Sequence, residues 1–177
     1  MDNRLPPQNI EAEKSILGGL MIEQDAWDEV SELLTDDDFY KPSHKKIYAA
    51  IRELRRRESP ADLVTVSNYL MGRGELESVG GAIYLAEMSD QTPSAANIAS
   101  YGKIVQDKSL LRKVISSGQG FVDKAFAQEF ENVDSFLDGI EADVFRLTES
   151  KTVNGLTDAS VLVKDSLVKI ESLYASK

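Results

Sequence analysis

Cysteine is missing from the 177 residues, which excludes disulfides, thiolate metal sites and a thiol nucleophile. Histidine occurs once, at His44, so a two-histidine metal site is ruled out and a Ser-His-Asp set has a single candidate ring. Long apolar runs are absent too. The longest near-apolar stretch, Ile16 to Ile22, is far short of the ~20 residues that span a bilayer. The opening Met1-Asp2-Asn3-Arg4-Leu5-Pro6-Pro7 lacks the apolar stretch of a secretory signal, so the cytoplasm is the expected location and no membrane partner is expected. Positive charge is scarce: 20 basic against 30 acidic side chains give a net charge of -10, the wrong sign for a chain that grips phosphates over a broad face. The phosphate-cradling Gly-x-x-x-x-Gly-Lys-Ser/Thr loop does not occur. Gly72-Arg73-Gly74 and Gly118-Gln119-Gly120 lack the third glycine and preceding strand of a dinucleotide fingerprint and read as helix breaks.

What is present is globular: 42% hydrophobic and 28% charged residues, enough apolar material for one core. Helical periodicity dominates. Asn9 is placed to cap a first helix with Glu11 and Glu13 in its first turn, and Ala12, Ile16, Leu17, Leu20 and Met21 form its buried stripe. Gly18-Gly19 within that helix predicts the close crossing of another one. Trp27, Val30, Leu33 and Leu34 make a second stripe. Pro42-Ser43 opens a third helix that buries Ile47, Tyr48, Ile51 and Leu54 and turns its arginines outward. Residues 63–66 are rich in β-branched side chains, but no alternating partner exists, so they are assigned to a short fourth helix. A further helix follows Gly80-Gly81.

After Pro93, Ser94 is the expected cap of a long helix carrying Ile98, Tyr101, Val105, Leu111 and Ile115. A loop near Gln128 to Asn132 leads to a second one with Val133, Phe136, Leu137, Ile140, Val144 and Leu147. Glu149 to Gly155 reads as a linker before a final helix capped by Thr157. The expected fold is therefore all-α: a small orthogonal helical bundle over 1–92, a long antiparallel hairpin over 94–150, and a linker with a terminal linker helix over 151–177. The hairpin's apolar residues spread over more than one stripe, so part of its surface needs cover.

Chemistry is thin. Asp36-Asp37-Asp38 carries enough oxygen for magnesium, but three consecutive turn residues seldom converge on one ion, and a polar turn explains them without a ligand. His44, in the first turn of its helix, reads as solvent-facing or capping. Arg52, Arg55, Arg56 and Arg57, like Lys103, Lys108, Arg112 and Lys113, are interleaved with acids and read as solvated faces.

Specificity comes from a series of short motifs. Leu5-Pro6-Pro7-Gln8-Asn9-Ile10-Glu11-Ala12-Glu13 followed by Ser15-Ile16-Leu17-Gly18-Gly19-Leu20-Met21 resembles the opening of the bacterial replicative DNA helicases of the DnaB family. The resemblance continues in order through Asp37-Asp38-Phe39-Tyr40, Pro42-Ser43-His44, Ile47-Tyr48, Asp62-Leu63-Val64-Thr65, Leu76, Val79-Gly80-Gly81, Tyr84-Leu85 and Thr92-Pro93-Ser94-Ala95-Ala96-Asn97. It implies a truncated N-terminal region whose motor domain is missing. No catalytic, cofactor-binding or metal-binding residue is expected in this chain, and ATP and magnesium belong to the missing motor of a 5′-to-3′ helicase.

The resemblance further implies a collar at the replication fork in which hairpins pair, as a dimer or as a hexamer built from a trimer of dimers. It implies binding of the primase C-terminal domain, with a helicase loader as a further candidate partner and weak or no direct DNA binding. The candidate subunit and primase interface is Tyr101, Val105, Leu111, Val114, Ile115, Phe136, Leu137, Ile140 and Val144. Val161, Leu162, Leu167, Ile170 and Leu173 are the candidate contacts of the linker helix with a neighbouring motor domain. The competing functions are a stand-alone protein-interaction adaptor, a helix-turn-helix DNA-binding module using Arg52 to Arg57, and a metal-dependent enzyme at Asp36 to Asp38.

Overall fold

A computed structural model describes residues 5–92, 94–128 and 130–152, with side chains described as far as Leu147. Its described residues form eight α-helices and one 3-10 turn: α1 (Ile10–Ile22), α2 (Ala26–Ser31), the 3-10 turn Asp36–Asp38, α3 (Pro42–Arg56), α4 (Leu63–Gly72), α5 (Leu76–Val79), α6 (Gly81–Gln91), α7 (Ile98–Ala127) and α8 (Val133–Thr152). No strand occurs among them.

The chain divides into two compact units, Met1–Ser116 and Ser117–Lys177. In the first, α1 starts where expected, the Asn9 side chain accepting the Ala12 N–H at 3.0 Å. Its stripe Ala12, Ile16, Leu17, Leu20 and Met21 is buried, and α1 packs against α6 and α3. Gly18 marks the approach to α6, and Gly19 a second one to the segment that leads into α7. A Cβ at Gly18 would stand 2.3 Å from the Met88 carbonyl oxygen of α6, and one at Gly19 would stand 3.3 Å from Ala95. Tyr48 of α3 anchors the middle of the core: its ring lies 4.8 Å from that of Phe39 and 5.5 Å from that of Trp27. Its hydroxyl donates to the Leu34 carbonyl at 3.0 Å. At residues 63–66 the β-branched run is helical because Asp62 takes the Thr65 N–H at 2.9 Å, which fixes an N-terminus at that point.

The long helix begins at Ile98, four residues after Ser94. Ser94 closes a local turn instead, its Oγ accepting the Ala96 N–H at 2.9 Å. Ala95 is buried and its N–H donates to Glu23 at 3.4 Å, so α1 holds this segment outside the helix. The buried side of α7 in this unit is Ile98, Gly102, Val105 and Ser109, a stripe of one turn period in which two of four residues are small or polar. Gly102 lies against Leu33 and Val30, where a Cβ would meet Leu33 at 2.8 Å.

The second unit contains the rest of α7, from Ser117, and α8. Asn132 caps α8 by accepting the Ser135 N–H at 2.8 Å, and Phe130 stacks on Phe136 at 4.8 Å. Phe121 and Lys124 of α7 line one cleft of about 330 Å³ with Gly139, Ile140 and Arg146 of α8, so the two helices lie side by side here. α8 continues to Thr152, through the start of the expected linker, because no glycine or proline occurs between Gly139 and Gly155. The remaining linker, the terminal helix and its residues Val161, Leu162, Leu167, Ile170 and Leu173 lie outside the described residues.

Candidate functional site

Two buried polar networks tie the elements of the first unit together. Glu13, which its sequence position marks as a first-turn helix acid, is 1% exposed, and His44 is fully buried where a solvent-facing or capping ring was expected. The reason is long-range: the chain over Tyr40 to His44 folds back on α1. The Glu13 carboxylate accepts the Tyr40 N–H at 2.6 Å, the Lys41 N–H at 3.4 Å and His44 Nδ1 at 2.7 Å. His44 Nε2 meets the Tyr84 hydroxyl at 2.8 Å, and that hydroxyl accepts from Lys41 Nζ at 2.8 Å. Each side-chain polar atom of Glu13, His44, Tyr84 and Lys41 has a partner, whereas the buried Ser43 hydroxyl next to them has none. The network ties α1, the start of α3 and α6 together.

The three aspartates separate. Asp36 pairs with Arg52, and Asp37 with Lys45 at 3.3 Å. Asp38 turns inward and is buried. One of its carboxylate oxygens takes the Thr35 N–H and hydroxyl at 2.8 and 2.9 Å, and the other takes Ser109 Oγ at 2.6 Å and Lys113 Nζ at 3.0 Å. Its carbonyl accepts from Arg112, which also reaches the Pro7 carbonyl at 2.8 Å. Arg112 and Lys113, expected on a solvated face, therefore pin α7 to the 3-10 turn. Among the described residues no group of three His, Asp or Glu side chains could hold a metal.

Burial alone pushes the Asp38 carboxyl up. Hydrogen bonds from Ser109, Thr35 and Lys113, with the Lys113 charge, outweigh it and hold Asp38 below the ordinary aspartate value. A carboxylate with a depressed folded pKa contributes stability that is complete above its unfolded pKa of ~3.9 and is lost as pH falls through the folded value. Asp38→Asn is therefore expected to cost about 1–3 kcal/mol at neutral pH, and the gap to the wild type should close in more acidic solution. Thermal melts between neutral pH and pH ~2.5 measure this; a gap that widens on acidification refutes the assignment.

What remains is surface. Of the candidate interface residues, Val105 is buried in the first unit's core and Tyr101 is half-buried against it. Leu111, Val114 and Ile115 are exposed near the end of that unit. In the second unit, Phe136 and Ile140 line the α7–α8 cleft, while Leu137 is 51% exposed and Val144 is exposed too. Val133, Leu137 and Val144 fall at four- and seven-residue spacing along α8, one stripe of the helix. Val122 and Phe126, four residues apart on α7, are exposed as well, Phe126 by 84%; they carry the same spacing signal and were not among the candidates. Not one described side chain of the second unit is buried.

Comparison with known proteins places this architecture. The model of the DnaB-like helicase N terminal domain matches residues 5–107. The chain belongs to that family. It is 36% identical over 171 residues to the replicative DNA helicase DnaB of Haemophilus influenzae, covering 96% of this chain and 36% of that protein. With the replicative DNA helicase DnaC of Bacillus subtilis the identity is 37% over 177 residues, 100% of this chain and 39% of that one. The chain thus spans a little over a third of these relatives' length. The crystal structure of the N-terminal domain of DnaB helicase from Mycobacterium tuberculosis superposes with a TM-score of 0.76 at 40% identity, over 80% of this chain and 99% of that one. A DnaB-like replicative helicase, described with its interactions with primase, shares the fold with a TM-score of 0.66 at 20% identity, over 90% of this chain and 34% of that one. The all-α fold expected from the sequence is the fold of the DnaB N-terminal domain. The family match ends within α7, so the Glu13 and Asp38 networks fall inside it except for Ser109, Arg112 and Lys113. The phosphate-loop pattern Gly-x-x-x-x-Gly-Lys-Ser/Thr occurs nowhere in these 177 residues.

Proposed function

We propose that the chain is the N-terminal collar of a replicative DNA helicase, and that it assembles copy to copy through its α7–α8 hairpin and receives the C-terminal domain of primase. The observation that carries this is the second unit: two helices with exposed Val122, Phe126, Leu137 and Val144 and no buried described side chain. Ordering each residue costs ~1–2 kcal/mol of backbone entropy, and apolar burial is the main term that offsets it. A pair of helices with so little interior needs an outside surface, and a second copy supplies a matching one through a two-fold contact. The first unit is self-sufficient by contrast, with a continuous core from Ala12 to Val105.

The same reading extends to a whole helicase. In the parent protein a motor domain supplies ATP-dependent 5′-to-3′ unwinding with ATP and magnesium, the linker helix docks on a neighbouring motor, and the assembly works in the bacterial cytoplasm as a dimer-built hexamer. A loader is a further partner. The net charge of -10 suits a collar through which DNA slides without being gripped.

The test is titration of this chain with the cognate primase C-terminal domain. Saturable binding is expected, weakened about tenfold or more by Phe126→Asp, which puts a charge into the apolar surface. A primase domain that forms no complex at roughly 100 μM, an affinity weaker than ~5.5 kcal/mol, overturns the partner assignment.

A further inference from the structure

A basic cleft on the first unit has no part in the hairpin or in either buried network. Lys46, Arg52, Glu53 and Arg57 of the α3 region, Tyr69 of α4, and Arg73 and Glu75 beyond it line a space of about 340 Å³, toward the small end of the ~300–1,000 Å³ range of ligand pockets. Its charges do not balance. Glu53 is shared by Arg56 and Arg57, at 2.9 and 2.7 Å, and Glu75 by Arg73 and Lys46, at 2.9 and 3.7 Å. Lys46, Arg52, Arg57 and Arg73 thus line the cleft with two carboxylates, Arg52 being paired with Asp36 outside it, in a chain whose overall charge is strongly negative.

The geometry of the two arginines adds direction. Arg57 and Arg73 each spend Nε on a carboxylate, and both guanidinium groups lie 5.8 Å from the Tyr69 ring centroid. Their terminal nitrogens have no carboxylate partner among the described residues. Capping does not account for them. The last carbonyls of α3 are taken by the backbone N–H groups of Arg57, Glu58 and Ser59, and those of α4 by Arg73, Gly74 and Glu75. Two planar forks held by an aromatic ring, with an ammonium alongside, match the oxygens of a phosphate group. The excess of positive charge in the lining and the small volume fit a compact anion. A long polyanion would meet the repulsion of the rest of the chain.

We propose that this cleft binds the diphosphate group of a small molecule, held by Arg57, Arg73 and Lys46. The probe is inorganic pyrophosphate, titrated calorimetrically into the full chain at low and matched ionic strength. One saturable site per chain is expected, weakened roughly tenfold by the double substitution Arg57→Gln and Arg73→Gln. The pair Lys103→Gln and Lys108→Gln removes equal charge elsewhere and should leave binding unchanged, and far-ultraviolet dichroism establishes that both double variants fold. Absence of saturable binding overturns the proposal, and so does equal loss in both double variants. Tighter binding of an oligothymidylate than of pyrophosphate also overturns it and assigns the cleft to a nucleic-acid strand.

Discussion

Glu13→Ala is expected to lower the stability of the chain by about 3–5 kcal/mol, the cost of breaking a buried charged network from one side. The carboxylate is 1% exposed and is the acceptor for two backbone N–H groups and for His44 Nδ1. Alanine leaves three buried donors unpaired and opens a cavity between α1 and α3. Domains are stable by only ~5–15 kcal/mol, so this one change removes a large part of the total. Glu13→Gln keeps the shape and one acceptor oxygen and should cost about 1–3 kcal/mol. Urea denaturation followed by circular dichroism gives both values. A loss below about 1 kcal/mol for Glu13→Ala, the size of one ordinary hydrogen bond, would mean that the network does not hold the unit together.

The second large effect is at Gly18. A Cβ there would fall 2.3 Å from the Met88 carbonyl oxygen, 2.9 Å from its carbon and 2.4 Å from Thr92 Oγ1. The first two atoms are backbone, and Thr92 is held by its own bond to that carbonyl at 2.9 Å, so neither side can give way locally. Gly18→Ala gains ~1 kcal/mol of helix propensity and must still push α1 from α6, an overpacking cost of about 3 kcal/mol or more. A net loss of about 2 kcal/mol is expected. Gly118→Ala is the opposite case, since nothing lies within 4 Å of its added methyl; it should stabilise by up to ~1 kcal/mol. Melting temperatures shifting in opposite directions would display the difference. Two shifts of the same sign would show that propensity, not the crossing, governs these glycines.

Those two positions also show what a sequence discloses. The glycine crossing was legible because two adjacent glycines within an amphipathic stripe carry a helix-propensity cost that only close packing offsets. The helix at residues 63–66 was legible from Asp62, a local cap. Glu13 was not, because a first-turn acid and a buried acid look alike until the segment 27 residues on folds over it. Nor was the buried face of α7: Ser109 is inside because Asp38, 71 residues earlier, needs its hydroxyl, while the more apolar Leu111 and Ile115 stay outside. Apolar residues of an interface and of a core obey the same periodicity. That is why Val105, a residue of the core, stands among the interface candidates.

The order of motifs from Leu5 to Asn97 identified the family, and the matching model covers nearly that stretch, 5–107. The hairpin beyond it is where exposed apolar side chains concentrate.

Sedimentation equilibrium of the whole chain over a wide concentration range addresses that hairpin directly. Two copies or more per particle are expected as concentration rises, with a return to the mass of one copy when Leu137 and Val144 are both replaced by aspartate and the first unit stays folded. A wild-type chain that remains a single, fully folded copy at every concentration would show that its hairpin needs no neighbour, and self-assembly through α7 and α8 would have to be abandoned.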